Sequence, residues 1–242
     1  MDARETMYEG KSKRVIRTDD PALVILEFKD DATAFNGQKK ASIDDKGRVN
    51  NAISVLLTEE VQKAGVPSHF VKRLDERRLL VKKVEIIPVE VVVRNVSAGS
   101  FAKRYAIAEG MPLAWPLVEI FYKSDALGDP LASDDVAVLL GWAKRRELAF
   151  MRDQALIVNE VLKTFFGHVN VDVIDFKLEF GRIGENLVLA DEITPDGMRL
   201  WERGTGKKLD KDVFRRDLGD LSETYRNLYE RLFNAPLPAV GS

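Results

Sequence analysis

The chain has no cysteine and only two histidines among its 242 residues. That excludes disulfides, thiolate nucleophiles and cysteine-ligated zinc, and leaves almost no material for a histidine-built metal centre or a catalytic triad. Net charge is missing too. Against 39 Asp and Glu stand 37 Lys and Arg, a balance of −2 at pH 7, so no bulk attraction to nucleic acid or to an anionic membrane is expected. No apolar run approaches the roughly 20 residues of a membrane-spanning helix, and the first residues show no signal-peptide pattern. Internal repeats and low-complexity segments are absent. These absences lead to the expectation of a soluble, cytoplasmic protein.

What is present is a 45% hydrophobic fraction beside 31% charged residues, enough for a large core in one domain or two joined lobes. The most informative stretch is 169–201. From 171 to 180 the apolar residues alternate as a half-buried strand requires. Ile174, Phe176, Leu178 and Phe180 share one face. The other face begins with Val171 and Val173 and then carries Asp175, Lys177 and Glu179. Same-face neighbours on a strand are about 7 Å apart, so these three make a row of minus, plus, minus. A polar, glycine-containing turn over 181–186 precedes a return strand over 187–191. If Gly181 lies opposite Leu187, Asp191 joins the charged face beside Lys177; a slip of one residue would send it to the other face.

Two carboxylates near one another form a hard-oxygen site suited to Mg²⁺. A lysine between them can neutralise an anionic substrate or a transferring phosphoryl group. On pattern alone, the solvated face of an antiparallel strand is the simpler reading. In favour of chemistry, the return strand runs into Asp191-Glu192-Ile193-Thr194-Pro195-Asp196-Gly197 and then Arg199, and acid-rich loops at strand ends are where sites tend to be built.

Elsewhere the readings stay similarly double. Gly10 followed by Lys11 and Lys13 suits a phosphate, or is a basic surface turn; it is not a Walker sequence. Residues 15–18 and 23–28 read as paired strands, and 49–64 as an amphipathic helix ended by Gly65 and Pro67. His69 reads as structural. Residues 79–87 and 89–93 read as two strands with Pro88 as the break. The second delivers Arg94, after which Ser100 opens a helix over 101–109. Arg94 and Ser100 fit a phosphate, or are a surface arginine and an N-cap serine. Residues 115–123 suggest a strand, Ser133 caps a short helix, and 146–166 form a longer one. Asp210 reads as the cap of one last helix.

Two segments carry a family resemblance: 173–181 (VIDFKLEFG) and, upstream, 86–100 (IIPVEVVVRNVSAGS). Both resemble signatures of the phosphoribosylaminoimidazole-succinocarboxamide synthase (SAICAR synthetase) family, and the likeness runs from about residue 7 to 233. It implies an α+β, two-lobed fold related to ATP-grasp and kinase-like nucleotide lobes. Residues 1–85 would be a strand-rich nucleotide lobe and 86–242 a substrate and metal lobe, with ATP in the cleft between. Gly10, Lys11 and Lys13 match the family's Gly-Lys-x-Lys phosphate segment, and Lys82 corresponds to a nucleotide contact. Asp175 and Lys177 would be catalytic and also touch substrate, as would Arg94, Ser100, Arg199 and Arg215. Glu179 and Asp191 would hold Mg²⁺. The reaction implied joins carboxyaminoimidazole ribonucleotide to L-aspartate with ATP, through an acyl phosphate, in a homodimeric enzyme of purine biosynthesis. Two departures stand out. Thr33 replaces the usual serine of a substrate-side loop over 30–40, and Asp45-Lys46-Gly47 stands for Gly-Lys-Gly. A small-molecule kinase, another carboxylate–amine ligase and a non-enzymatic nucleotide sensor remain the rival readings.

Overall fold

The computed structural model describes residues 5–34 and 38–239; Phe35, Asn36 and Gly37 of the expected substrate-side loop lie outside the described residues. The fold is α+β, built on two antiparallel sheets. In the first, β1 (Thr6–Glu9) and β2 (Lys13–Arg17) form a hairpin, and β2 pairs with β3 (Leu23–Phe28). After the short β4 (Asp31–Ala34) and β5 (Lys39–Ser42) hairpin comes α1 (Lys46–Lys63). Then β6 (Phe70–Arg73) and β7 (Arg78–Lys82) complete the sheet in the order β1-β2-β3-β7-β6. Alternate residues Val24, Leu26 and Phe28 of β3 meet Leu79 and Val81 of β7 in a small core, as period-two alternation dictates.

The second sheet starts at β8 (Glu85–Val96) and continues, beyond α2 (Gly99–Tyr105), with β9 (Pro112–Tyr122) and β10 (Leu131–Ala132). Two helices follow, α3 (Asp134–Leu139) and α4 (Arg145–Gly167). The chain then enters β11 (Val171–Ile183), β12 (Asn186–Ala190) and β13 (Met198–Glu202). Strand β11 is central: β8 pairs along one edge, and β12 and β13 share the other. Leu148, Met151, Ala155, Val158, Leu162 and Phe166 recur at helical spacing on α4 and are all fully buried; each of them but the small Ala155 contributes about 1.5–3 kcal/mol. Val49, Ile53, Leu57 and Val61 of α1 belong to this same larger core. Thus α1, although it lies early in the chain, ties the first sheet to the second.

Three elements differ from the sequence reading. Pro88 does not break a strand: β7 ends at Lys82, and Pro88 sits inside β8 at the bulge between the Glu179–Glu90 and Gly181–Ile86 pairs. A bulge is where a strand can do without an N–H. Helix α2 stops at Tyr105 because Ala106 turns left-handed, φ 52°. The expected single last helix is two, a one-turn α5 (Asp212–Arg215) and α6 (Leu221–Phe233), the latter capped by Asp220, whose side chain accepts from Ser222 N and Glu223 N.

Candidate active site

A cavity of about 1160 Å³ lies between the two sheets, and it is lined by every residue to which the resemblance gave a catalytic, nucleotide, substrate or metal role: Gly10, Lys11, Lys13, Lys82, Arg94, Ser100, Asp175, Lys177, Glu179, Asp191, Arg199 and Arg215. One wall is the β1–β2 turn and the end of β7. The other is the charged face of β8 and β11, with the segments that follow β12, β13 and β9.

That charged face is not a solvated one. Asp175 and Glu179 are 4% and 3% exposed. Register puts Glu179 directly opposite Glu90 of β8, where like charges would repel. Lys177 resolves this by reaching both, with Nζ 2.7 Å from Glu90 Oε1 and 2.8 Å from Glu179 Oε1. Lys123, just past β9, pairs with the other oxygen of Glu179. Glu90 was legible in principle: Ile87, Val89, Val91 and Val93 are fully buried on one face of β8, which leaves Glu90, Val92 and Arg94 on the face opposite. Lys123, in a loop, carried no such signal.

The hairpin register differs from the one that would have put Asp191 beside Lys177 by alternation. Gly181 pairs with Val188 and Glu179 with Ala190. Asp191 nevertheless joins the cluster, because its own backbone is left-handed, φ 59°, and re-aims the side chain at the cavity. Lys13 pairs with Asp191 and lies 3.2 Å from Glu192 Oε2. His69, which read as structural, stands at the edge of the cavity. It is buried and its Nε2 donates to the Asp191 carbonyl at 3.0 Å; burial depresses its pKa to about 4, so the ring is neutral at pH 7.

Electrostatics bind this cluster tightly. Burial alone would lower the Lys13 and Lys177 ammonium groups, but Asp191 and Glu192, and Glu179 and Glu90, outweigh it and hold both pKa values above the ordinary lysine range. Burial would likewise raise Asp191, yet Lys13 and Lys177 hold its carboxyl well below the usual range. Lys13, Lys177 and Asp191 are therefore charged at neutral pH, whereas burial, together with the neighbouring Asp191 and Asp196 charges, pushes the Glu192 carboxyl up against the pull of Lys13. Glu179 and Asp191 offer hard oxygen donors on one wall. Among the described residues no group of three or more His, Cys, Asp or Glu is arranged to hold an ion. Such a pair fits Mg²⁺, which takes one or two carboxylates and completes its shell with phosphate and water, rather than an all-protein cage.

At the other end of the cavity the chemistry changes from lysine to arginine. Arg94, 3% exposed, donates from Nη1 to Asp175 Oδ2 at 2.8 Å and from Nε to Glu119 Oε2 at 2.6 Å. Ser100 Oγ lies 3.4 Å from Arg94 Nη2. Arg199 holds the same Asp175 at 2.8 Å and reaches Asp212 at 3.0 Å, which also takes Arg215 at 2.7 Å. Glu119 and Asp212 were not singled out in the sequence. Nothing in their local pattern marks them, and only the fold brings them under the arginines. The first amide of α2, Gly99 N–H, goes to Glu109 Oε1 at 3.1 Å, and Ser100 beside it lines the cavity.

An α+β fold with a deep cleft, lysines toward one end and guanidiniums toward the other, defines an enzyme that handles small polyanions between two sheets. The chain belongs to the SAICAR synthetase family, whose pattern matches residues 6–232. A phosphoribosylaminoimidazole-succinocarboxamide synthase from an Exiguobacterium species is 53% identical over 228 residues, 94% of this chain and 97% of that protein. The crystal structure of the same enzyme from Ehrlichia chaffeensis superposes with a TM-score of 0.93 at 43% identity, covering 96% of this chain and all of that one. A SAICAR synthetase solved in complex with ADP gives a TM-score of 0.93 at 45% identity, over 96% and 99% of the two chains. The chain is therefore an enzyme, a ligase of purine biosynthesis.

Proposed function

We propose that the enzyme joins carboxyaminoimidazole ribonucleotide to L-aspartate at the expense of ATP, in two steps on one site. A carboxylate is unreactive toward amines because oxide is a poor leaving group. In the first step a carboxylate oxygen of the ribonucleotide takes the γ-phosphoryl group and ADP departs, giving an acyl phosphate. In the second the aspartate amine attacks the acyl carbon, the C–O bond breaks, and phosphate leaves with that oxygen as the amide forms. The observation that carries this reading is the convergence of Lys13, Lys177, Glu179 and Asp191, from distant parts of the chain, on one cavity. The ADP found in the 45%-identical structure supports it.

In this reading residues 1–85 serve the nucleotide and 86–242 the substrate and metal. Gly10, Lys11, Lys13 and Lys82 receive ATP. Phosphate oxygens replace carboxylates as partners of the lysines, Lys11 for instance leaving Asp125, from which it stands 2.6 Å. Glu179 and Asp191 hold Mg²⁺, which when bound neutralises charge on the nucleotide phosphates. Lys177 pairs with the substrate carboxylate and steadies the transferring phosphoryl group, and Asp175 fixes the imidazole substrate. Arg94, Ser100, Arg199 and Arg215 hold its anionic groups. The protein's part is charge and positioning more than covalent chemistry. A cytoplasmic homodimer completes the reading.

The test is ADP release from Mg·ATP and carboxyaminoimidazole ribonucleotide, with and without L-aspartate. Steady turnover only with all three present is expected. Release without aspartate would make the protein a kinase, and none under any condition would make it a nucleotide binder.

A further inference from the structure

The arginines and carboxylates at the far end of the cavity form one unbroken, strictly alternating chain: Arg104, Glu119, Arg94, Asp175, Arg199, Asp212, Arg215. Its carboxylates are buried, Glu119 at 7% exposure, Asp175 and Asp212 at 4%, while all its guanidiniums line the cavity. Arg104 heads the chain, and no motif pointed to it. It shares almost everything with Arg94. Glu119 gives one oxygen to each. Both guanidiniums also stand over the same two rings, Arg94 at 5.6 Å from Phe101 and 5.9 Å from Phe121, Arg104 at 6.0 Å and 5.6 Å. Ser100, beside Arg94, lies four residues before Arg104 on α2, and that spacing puts the two on one helix face.

We propose that Arg104 is a further substrate-binding residue, closing with Arg94 and Ser100 on the ribose phosphate, and that Glu119 is the positioning residue that aims both guanidiniums. This rests on the proposed reaction for the identity of the anion. A buried carboxylate adds little stability over an apolar residue of its size, so its presence is explained by the geometry it imposes. The two rings flank both guanidiniums, and Glu119 takes Nε of Arg94 and one terminal nitrogen of Arg104; Asp175 takes a second Arg94 donor, which leaves Arg94 Nη2 beside the Ser100 hydroxyl. The other donors of Arg104, the Nη2 of Arg94 and the Ser100 hydroxyl match a dianion with three equivalent oxygens; a single carboxylate would leave donors unpaired.

The experiment is steady-state kinetics of Arg104→Gln and Glu119→Gln, varying ribonucleotide, ATP and aspartate in turn. Both variants should raise KM for the ribonucleotide by about tenfold or more, as loss of a charge-assisted hydrogen bond requires, and leave KM for ATP and aspartate unmoved. The double variant should be no worse than the poorer single one, since both act on one grip. Arg104 is partly exposed, so its variant keeps the test open should Glu119→Gln fold poorly. A ribonucleotide KM unchanged in Arg104→Gln overturns the proposal. So does a rise confined to aspartate, which would give this arginine to the amino acid, or a fall in kcat and melting temperature with every KM unmoved. A binding arm is independent of the reaction: ribose 5-phosphate should raise the melting temperature of the wild type and not of Arg104→Gln. If wild type fails the turnover assay but passes this arm, the reaction is wrong and the anion grip stands.

Discussion

Gly99 shows how one residue is fixed by the site it borders. Its backbone is left-handed, φ 53°, and a Cβ there would stand 2.3 Å from Arg199 Nη2 and 2.5 Å from Arg199 Cζ. A guanidinium at the end of a flexible side chain could normally swing aside. This one is pinned by Asp175 and Asp212, and moving it would break both ion pairs. Gly99→Ala should therefore cost about 1–2 kcal/mol of stability from the backbone and raise KM for the ribonucleotide while sparing KM for ATP. Chemical denaturation and steady-state kinetics check the two halves separately. Asp45 is the contrasting case. It stands where the family resemblance led one to expect glycine, and its φ is 62°, a conformation aspartate tolerates better than most residues. Its side chain compensates by pairing with Arg48 at 2.9 Å and Arg226 at 2.8 Å. The left-handed turn that opens α1 is kept by ion pairs instead of by an absent Cβ.

At the scale of elements, legibility followed how local the determining physics is. Alternation along β11 was readable, since period two is a property of the strand itself. Its partner's register was not, because it is set by the turn between the strands, and the left-handed Asp191 beyond β12 then undoes what alternation in that register would predict. Pro88 misled for a like reason: a proline ends a strand unless it sits in a bulge that excuses its missing N–H, and the pairing that makes the bulge is with a strand far off in sequence. The split of the last helix hid a small anchored element. Asp210 is fully buried, with Oδ1 accepting from Asp212 N at 2.7 Å and Oδ2 from Leu200 N at 2.8 Å. It thereby ties α5, which carries Asp212 and Arg215, to β13, which carries Arg199. Burial first, and then the neighbouring Asp212 charge, push its carboxyl up to about 7, whereas an unfolded aspartate titrates near 3.9. Between those values the folded state binds the extra proton. The stabilisation is complete below about pH 4 and is lost as pH rises through about 7, at up to roughly 1.4 kcal/mol per unit. Asp210→Asn, which cannot titrate, should lack this slope. The stability difference between wild type and variant, measured by urea denaturation from pH 5 to 8, should shrink with rising pH; a constant difference would place the titration elsewhere.

For the whole molecule, the convergence of both ends of the cavity was legible only through the family resemblance, because no periodicity brings Lys13 to Asp191. What joins the sheets physically is α1 in the larger core and the segment before β6, where Leu189 N–H donates to Pro67 O at 2.8 Å and His69 N–H to Leu189 O at 2.9 Å. The pairs that cross the cavity divide by exposure. Lys11 and Asp125 have side chains 49% and 69% exposed, and such a pair contributes little; Lys13 and Asp191 are mostly enclosed. With the two sheets sharing a core, a nucleotide bound between them should stabilise both at once. At a hundred times its Kd, Mg·ADP should add about 2.7 kcal/mol by mass action, which for a chain of this size is a rise of roughly 5–10 °C in Tm. The transition should stay single and move as a whole, and chelating Mg²⁺ should reduce the shift in the wild type more than in Glu179→Gln, where one carboxylate ligand is already gone. Scanning calorimetry reads both results. A nucleotide shift confined to an early, minor transition would instead mean that the first sheet unfolds by itself and that α1 does not couple it to the second. An equal loss on chelation in wild type and variant would remove Glu179 from the metal.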